Sequence, residues 1–179
     1  VSIKDVKTFL YAAKLVLAQL PKTGFLILGP TDEEPEYFQE CRELVGNLGI
    51  QEAVKFLGKV DMKDHYQRLD LVVLTSLSEA QPYVILEANA AGIPVVATDV
   101  GACREMLEGR LPEDRRIGPS GLLTGVANPE ETAAAVLRLL RDAHLRTAMS
   151  ESGRNRTLRF YDLNDLVSQY LNLYEQMMR

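Results

Sequence analysis

Hydrophobic positions along this chain switch between two periods, and each switch marks the boundary between a helix and a strand. Val6, Phe9, Leu10, Ala13, Leu17 and Leu20 recur at spacings of three and four, the stripe of an amphipathic helix. Ser2 is placed to cap that helix from near Lys4, with Asp5 in the place of a capping-box acid, and Pro21 ends it. Phe25–Leu28 is a continuous apolar run closed by Gly29-Pro30, the pattern of a strand buried on both faces. After an acidic loop over residues 31–34, Pro35 opens a second helix carrying Phe38, Cys41, Leu44, Val45 and Leu48. Residues 54–57 form a short apolar strand closed by Gly58, and Asp61 caps a brief helix over residues 62–69.

The middle of the chain reads as one parallel crossover. Leu71-Val72-Val73-Leu74-Thr75 is a strand, Ser78 to Pro82 a loop, Tyr83 onward a helix, and Ile93-Pro94-Val95-Val96-Ala97 the next strand. Asp99-Val100-Gly101-Ala102 then turns into a short helix around Glu105-Met106-Leu107, and residues 111–120 are polar and loop-like. Gly121–Thr124 is a last short strand. Asn128-Pro129-Glu130 starts a helix with a capping side chain, a proline in the first turn and an acid favoured by the helix dipole. Residues 133–140, 145–158 and 163–178 complete a helical tail. Strands and helices alternating in this order predict a single α/β domain over residues 1–179, a doubly wound parallel sheet with a helical C-terminal tail.

Composition narrows the function. With 46% hydrophobic and 25% charged residues, the 179-residue chain has the balance of a globular domain large enough for a proper core. A net charge of −5 argues against a general nucleic-acid or membrane surface, since both require clustered positive charge. Cys41 and Cys103 stand far apart and outside any metal-ligand spacing, so they read as buried free thiols of a reducing compartment. No apolar run reaches the roughly 18 residues of a membrane span, and a cytoplasmic setting is the default expectation.

Chemistry concentrates in the central crossover, because ligands of open parallel sheets bind beyond the carboxyl ends of the strands. Glu79 stands in the loop and Glu87 two turns into the helix that follows. Spacing alone allows the plain alternative of two solvated acids. Glu87, however, sits among Tyr83, Val84, Ile85, Leu86, Ala88, Ala90 and Ala91, a run that predicts a buried helix, where a lone carboxylate is costly without a hydrogen-bond donor. Either a protein donor meets it or the vicinal hydroxyls of a ribose do.

This arrangement resembles the Glu-(seven residues)-Glu motif of retaining glycosyltransferases with the GT-B fold, family 4 in particular. Ala91-Gly92-Ile93-Pro94-Val95-Val96-Ala97-Thr98-Asp99-Val100-Gly101 is similar to the strand and turn after that motif, Asn128-Pro129-Glu130 to the start of the family's late helix, and residues 171–177 to its closing helix. More narrowly, Ser78-Glu79-Ala80-Gln81-Pro82 with Gly101-Ala102-Cys103-Arg104-Glu105 is similar to the branch that makes the exopolysaccharide Pel from UDP-glucose.

The resemblance implies a Rossmann-like C-terminal half of a GT-B fold that binds a nucleotide-sugar donor, UDP-glucose foremost, with no divalent metal and no cofactor. Glu79 would be the catalytic residue, placed beside the hydroxyls of the donor sugar, with Ala80 and Gln81 lining that sugar. Lys4, Tyr83 and Val84 would meet the diphosphate, Glu87 the ribose, and Gly58, Lys59 and Val60 the base. The chain departs from the family where Ala80-Gln81-Pro82 replaces Gly-Phe-Gly, since Pro82 has no N–H to offer. The family's Gly-Arg pair and its first strand are also absent, which would leave unpaired strand edges. The acceptor, a sugar or polysaccharide, would bind an N-terminal domain outside this chain, so the fragment alone would be inactive. A membrane-associated synthase complex is compatible with the full-length protein. Two other readings stay open here: a non-catalytic nucleotide-sugar or scaffold module, and a UDP-sugar epimerase of the same fold. His65, His144 and the Asp32-Glu33-Glu34 run carry no catalytic or metal-loop spacing, and Arg104 reads as a structural ion-pair partner.

Overall fold

Short apolar runs form strands and the striped segments form helices, and side-chain caps start helices at Asp5, Asn128, Asp142 and Asp162. The computed structural model describes residues 1–178. The strands are β1 (Phe25–Leu28), β2 (Val54–Gly58), β3 (Val72–Leu74), β4 (Val95–Thr98) and β5 (Gly121–Thr124). The helices are α1 (Val6–Leu17), α2 (Pro35–Leu48), α3 (Tyr83–Ala90), α4 (Cys103–Glu108), α5 (Pro112–Arg115), α6 (Pro129–Arg141), α7 (Ala143–Phe160) and α8 (Leu163–Met177).

The doubly wound α/β class holds, and its two faces are legible in β4. Val96 joins a core built from α1, α2 and α6, whereas Val95 and Ala97 join a second core with Ile85, Ala88, Met106 and Leu107 of α3 and α4. Alternate residues of one strand thus serve opposite faces, as the period of two requires. All pairing is parallel. The strands do not form one continuous sheet, however: β3-β4-β5 is one unit and β1-β2 another. Between the facing edges of β1 and β3 lies a cavity of about 1060 Å³, lined by Phe25–Leu28, residues 71–75 and the side chains of Val6, Phe9, Val136 and Leu140. Leu26, Ile27 and Leu28 are consequently only half-buried, so β1 is not the fully enclosed strand its apolar run predicts.

Three local expectations need correction. Asp5, not Ser2, caps α1: it adopts a left-handed backbone (φ 45°), and its carboxylate accepts the amide (3.2 Å) and hydroxyl (2.6 Å) of Thr8. Ser2–Lys4 is a separate 3₁₀ turn. Asp61 does cap the next segment, accepting from the Lys63 amide, but residues 62–69 make two 3₁₀ turns, Met62–Asp64 and Tyr66–Arg68, instead of one helix. Residues 111–120 are not wholly loop, since they contain α5. What orders them comes from α7: the Arg156 guanidinium, fully buried, binds Asp114 Oδ1 at 2.6 Å and the carbonyls of Leu107 (2.8 Å) and Gly118 (2.8 Å). A buried charge is tolerable only when paired and hydrogen-bonded in this way. Cys41 and Cys103 are free and buried, and burial raises both thiol pKa values.

Candidate functional site

At the carboxyl ends of β3 and β4 several polar side chains form one connected network. At the end of β3, the Thr75 hydroxyl donates to the carbonyls of Lys4 (3.1 Å) and Asp5 (3.0 Å), and the Leu77 amide donates to the Ile3 carbonyl (2.9 Å). These bonds dock the N-terminal 3₁₀ turn against the strand end. Lys4 Nζ then reaches Glu79 Oε1 at 2.5 Å, across 75 positions of sequence. The same oxygen accepts from the Ser76 hydroxyl at 2.6 Å, and the buried Thr98 hydroxyl holds the Ser76 carbonyl at 2.6 Å. The Glu79 side chain is 10% exposed while that of Lys4 is 45% exposed, so the acid is enclosed and the cation faces water.

Backbone contacts fix the loop itself. Gly101 adopts φ +52°, and a methyl group built on it would lie 1.8 Å from the Glu79 carbonyl oxygen. Only glycine permits that approach. The next amide, Ala102, donates to the Ala80 carbonyl at 3.0 Å. Ala80 and Gln81 are exposed beside this contact. Pro82 stands as the N-cap of α3 without a side-chain bond to the helix, and Tyr83 and Val84 supply first-turn amides that have no partner within a helix. Tyr83 is 73% exposed.

Glu87 departs from the expectation of burial. The 3.6 period places Tyr83, Glu87 and Ala90 on one face of α3, and all three are exposed, while Ile85, Ala88 and Asn89 face inward. The acid is nonetheless held: the Tyr66 phenol donates to Glu87 Oε2 at 3.0 Å. Burial and the adjacent Glu87 push the Tyr66 pKa upward, so the phenol keeps its proton. Gly58, Lys59 and Val60 lie at and just past the end of β2, where the Gly29 amide donates to the Gly58 carbonyl (2.9 Å). The connection they begin is the one that carries Tyr66 to Glu87.

The structure therefore joins Lys4 and Glu79 directly, sets Tyr83 and Val84 at the start of the intervening helix, and leaves Gly58, Lys59 and Val60 on a separate strand end. Sequence reasoning missed Tyr66, Ser76, Thr98 and the close approach of Gly101. Ser76 had a weak signal: Ser76-Leu77-Ser78-Glu79 has the Ser-x-x-Glu spacing that brings two such residues within reach, although here the side chains bond each other and not the backbone amides of a capping box. Tyr66 had none. Arg104 pairs with Asp99 and with Glu108 (3.0 Å), the structural role expected for it. Among the described residues, no group of three or more His, Cys, Asp or Glu side chains is arranged to hold a metal, and no helix is long and apolar enough to cross a membrane.

Known proteins share this architecture. The chain superimposes on the structure of Anabaena HepE in complex with UDP with a TM-score of 0.86 at 24% identity, covering 98% of this chain and 46% of that one. The C-terminal domain of a glycosyl transferase group 1 family protein (LpcC) from Francisella tularensis gives a TM-score of 0.76 at 24% identity, over 91% of this chain and 82% of that domain. In sequence, the chain is similar to a D-inositol 3-phosphate glycosyltransferase from Corynebacterium urealyticum, 32% identical over 98% of this chain and 41% of that protein. It is also similar to an N-acetyl-alpha-D-glucosaminyl L-malate synthase from Bacillus anthracis, 33% identical over 76% of this chain and 34% of that protein. The chain thus spans less than half the length of these curated relatives. The fold is that of the Rossmann-like C-terminal domain of GT-B enzymes. Residues 1–142 match the model of the glycosyl transferases group 1 family, and the chain belongs to that family.

Proposed function

We propose that this chain is the donor-binding domain of a retaining, family 4 glycosyltransferase that transfers a hexose, glucose from UDP-glucose, during synthesis of an exopolysaccharide of the Pel type. The observation that carries this reading is the meeting of Lys4 and Glu79 at the carboxyl end of β3, with the first turn of α3 leading from there to Glu87. That is the order in which a nucleotide sugar presents hexose, diphosphate and ribose. HepE, similar in fold, is described in complex with UDP and with UDP-glucose, which favours a uridine nucleotide here.

In this reading Glu79 binds the donor hexose with the loop at Ala80 and Gln81. Lys4 and the amides of Tyr83 and Val84 meet the diphosphate, Glu87 accepts from the ribose, and residues 58–60 frame the base. The chemistry is preorganised charge stabilisation of a departing diphosphate: a cation and a helix N-terminus already in place, with no divalent metal taking part. The acceptor sugar or polysaccharide binds a preceding domain. A strand from that preceding segment fills the apolar cavity between β1 and β3, whose open edges and half-buried leucines suit it. The isolated chain binds nucleotide weakly and transfers nothing.

Calorimetric titration tests this. UDP and UDP-glucose are expected to bind more tightly than GDP- and ADP-sugars, and Glu87→Ala to weaken UDP about tenfold or more, the loss of hydrogen bonds to a charged group. No preference for the uridine nucleotides, or no effect of the substitution, would sink the assignment. In the full enzyme, Glu87→Ala raises the donor KM and Glu79→Ala lowers kcat, because ribose is bound equally in ground and transition states whereas the hexose is the reacting group. An epimerised sugar nucleotide instead of a glycoside product would assign the site to a different reaction.

A further inference from the structure

We infer that Tyr66 is a positioning residue for nucleotide binding, its phenol holding one oxygen of Glu87 so that the other is presented to the ribose. This rests on the reading of Glu87 as the ribose acid. Glu87 lies on the exposed face of a short helix, where an unrestrained glutamate samples several rotamers and must lose that freedom on binding. A partner that orders it beforehand removes the cost from the binding step.

Tyr66 has the properties of such a partner. Its ring is partly buried against the core formed by Ile85, Ala88 and their neighbours, together with Leu69 and Leu86, so the phenol is directed by packing and does not swing freely. Its hydroxyl lies 3.0 Å from a carboxylate oxygen, within hydrogen-bonding distance of a group that takes such donors well. Burial and Glu87 both push the phenol pKa upward, so the hydroxyl remains a donor. The bond is made to Oε2 alone, and among the described residues Oε1 receives no hydrogen bond from the protein. Glu79 repeats this asymmetry: Oε1 accepts from Lys4 and Ser76, and Oε2 from no described residue. Each acid is held by one oxygen and open at the other, which is how a side chain is fixed without being used up.

The competing account is that Tyr66 merely tethers the connection after β2 to α3. Titration of the chain and of Tyr66→Phe with UDP, and with a UDP analogue lacking both ribose hydroxyls, separates the two. Tyr66→Phe is expected to weaken UDP roughly tenfold, near the low end of the loss for one hydrogen bond to a charged group, and to leave the analogue unchanged. Combined with Glu87→Ala, it should add nothing to the loss from Glu87→Ala alone. Equal weakening of UDP and the analogue, or additive losses in the double variant, would overturn the positioning role in favour of the tether. Unchanged UDP affinity in Tyr66→Phe, with Glu87→Ala still harmful, would overturn it while leaving the ribose assignment standing. Absence of UDP binding by the unaltered chain would instead overturn the ribose assignment itself, and the positioning role with it. A thermal melt of each variant verifies that the comparison is between folded proteins.

Discussion

The two strand units of this molecule are made from similar sequence and held in different ways. β3, β4 and β5 share two parallel ladders, and β4 is covered on both faces by buried cores. β1 and β2 share one ladder; Phe25 and Val54 face the core, while Leu26 and Leu28 line the cavity and belong to neither core cluster. Glu79, Ser76, Thr98 and Gly101 all hang on the doubly covered unit, and the residues expected to meet the base hang on the singly covered one. In the proposed reading, the groups that meet the donor sugar sit on the unit with more packing around it. A nucleotide spanning both units would stabilise the weaker one by mass action.

The sharpest way to break the better-held unit is to unpair its buried charge. Asp114→Ala leaves the Arg156 guanidinium buried without its carboxylate, and about 3–5 kcal/mol should be lost in a denaturant titration. Next comes Gly101→Ala. Its methyl group would collide with the Glu79 carbonyl and force the loop outward, costing about 1–3 kcal/mol for the strained backbone. UDP binding should fall with it, whereas alanine at Gly46, whose added methyl meets nothing nearby, should leave UDP binding intact.

A smaller effect compares the units directly through their cysteines. Both thiols are buried with raised pKa values, so a thiol reagent reacts only after local opening. Cys41 packs in the core shared with β1 and β2, and Cys103 in the core of β4, α3 and α4. Cys41 should be labelled about tenfold faster than Cys103, as mass spectrometry would show, and saturating UDP should narrow the gap. Equal rates would mean that the two units open together.

The least effect concerns acid. Ser2, through its hydroxyl and its amide (3.0 Å), holds the Glu34 carboxyl below its ordinary range. A folded pKa lower than the unfolded one stabilises at pH above the unfolded value, and that contribution disappears as pH falls through the folded one. Glu34→Gln should therefore slightly flatten the acid limb of the stability profile and leave neutral pH behaviour nearly unchanged. The exposed Lys7–Glu40 pair (2.6 Å) serves as a reference: Glu40→Gln should likewise change stability little.

Local signals explain what could be read early. Asn128 accepts the Glu131 amide at 3.0 Å and Asp61 the Lys63 amide at 3.0 Å, because a capping side chain and its target lie within one turn. The strand at Gly121–Thr124 and the two tail helices stand where the sequence placed them. Glu87 was misjudged from composition. A helix of eight residues can be apolar in content and still turn one narrow face to water, and Tyr83, Glu87 and Ala90 are that face.

Residue order alone determined the alternation of helices and strands, the parallel crossover, and which acids stand at its loop and helix, since each depends on neighbours a few positions away. Only the tertiary structure decided that Lys4 would meet Glu79, that Tyr66 would hold Glu87, that Arg156 would be buried on Asp114, and that the strands would divide around a cavity. Those contacts join positions from 21 to 75 residues apart, and no periodicity encodes them. They follow from which apolar faces pack together, and the polar groups carried along then pair with whatever that packing brings within reach.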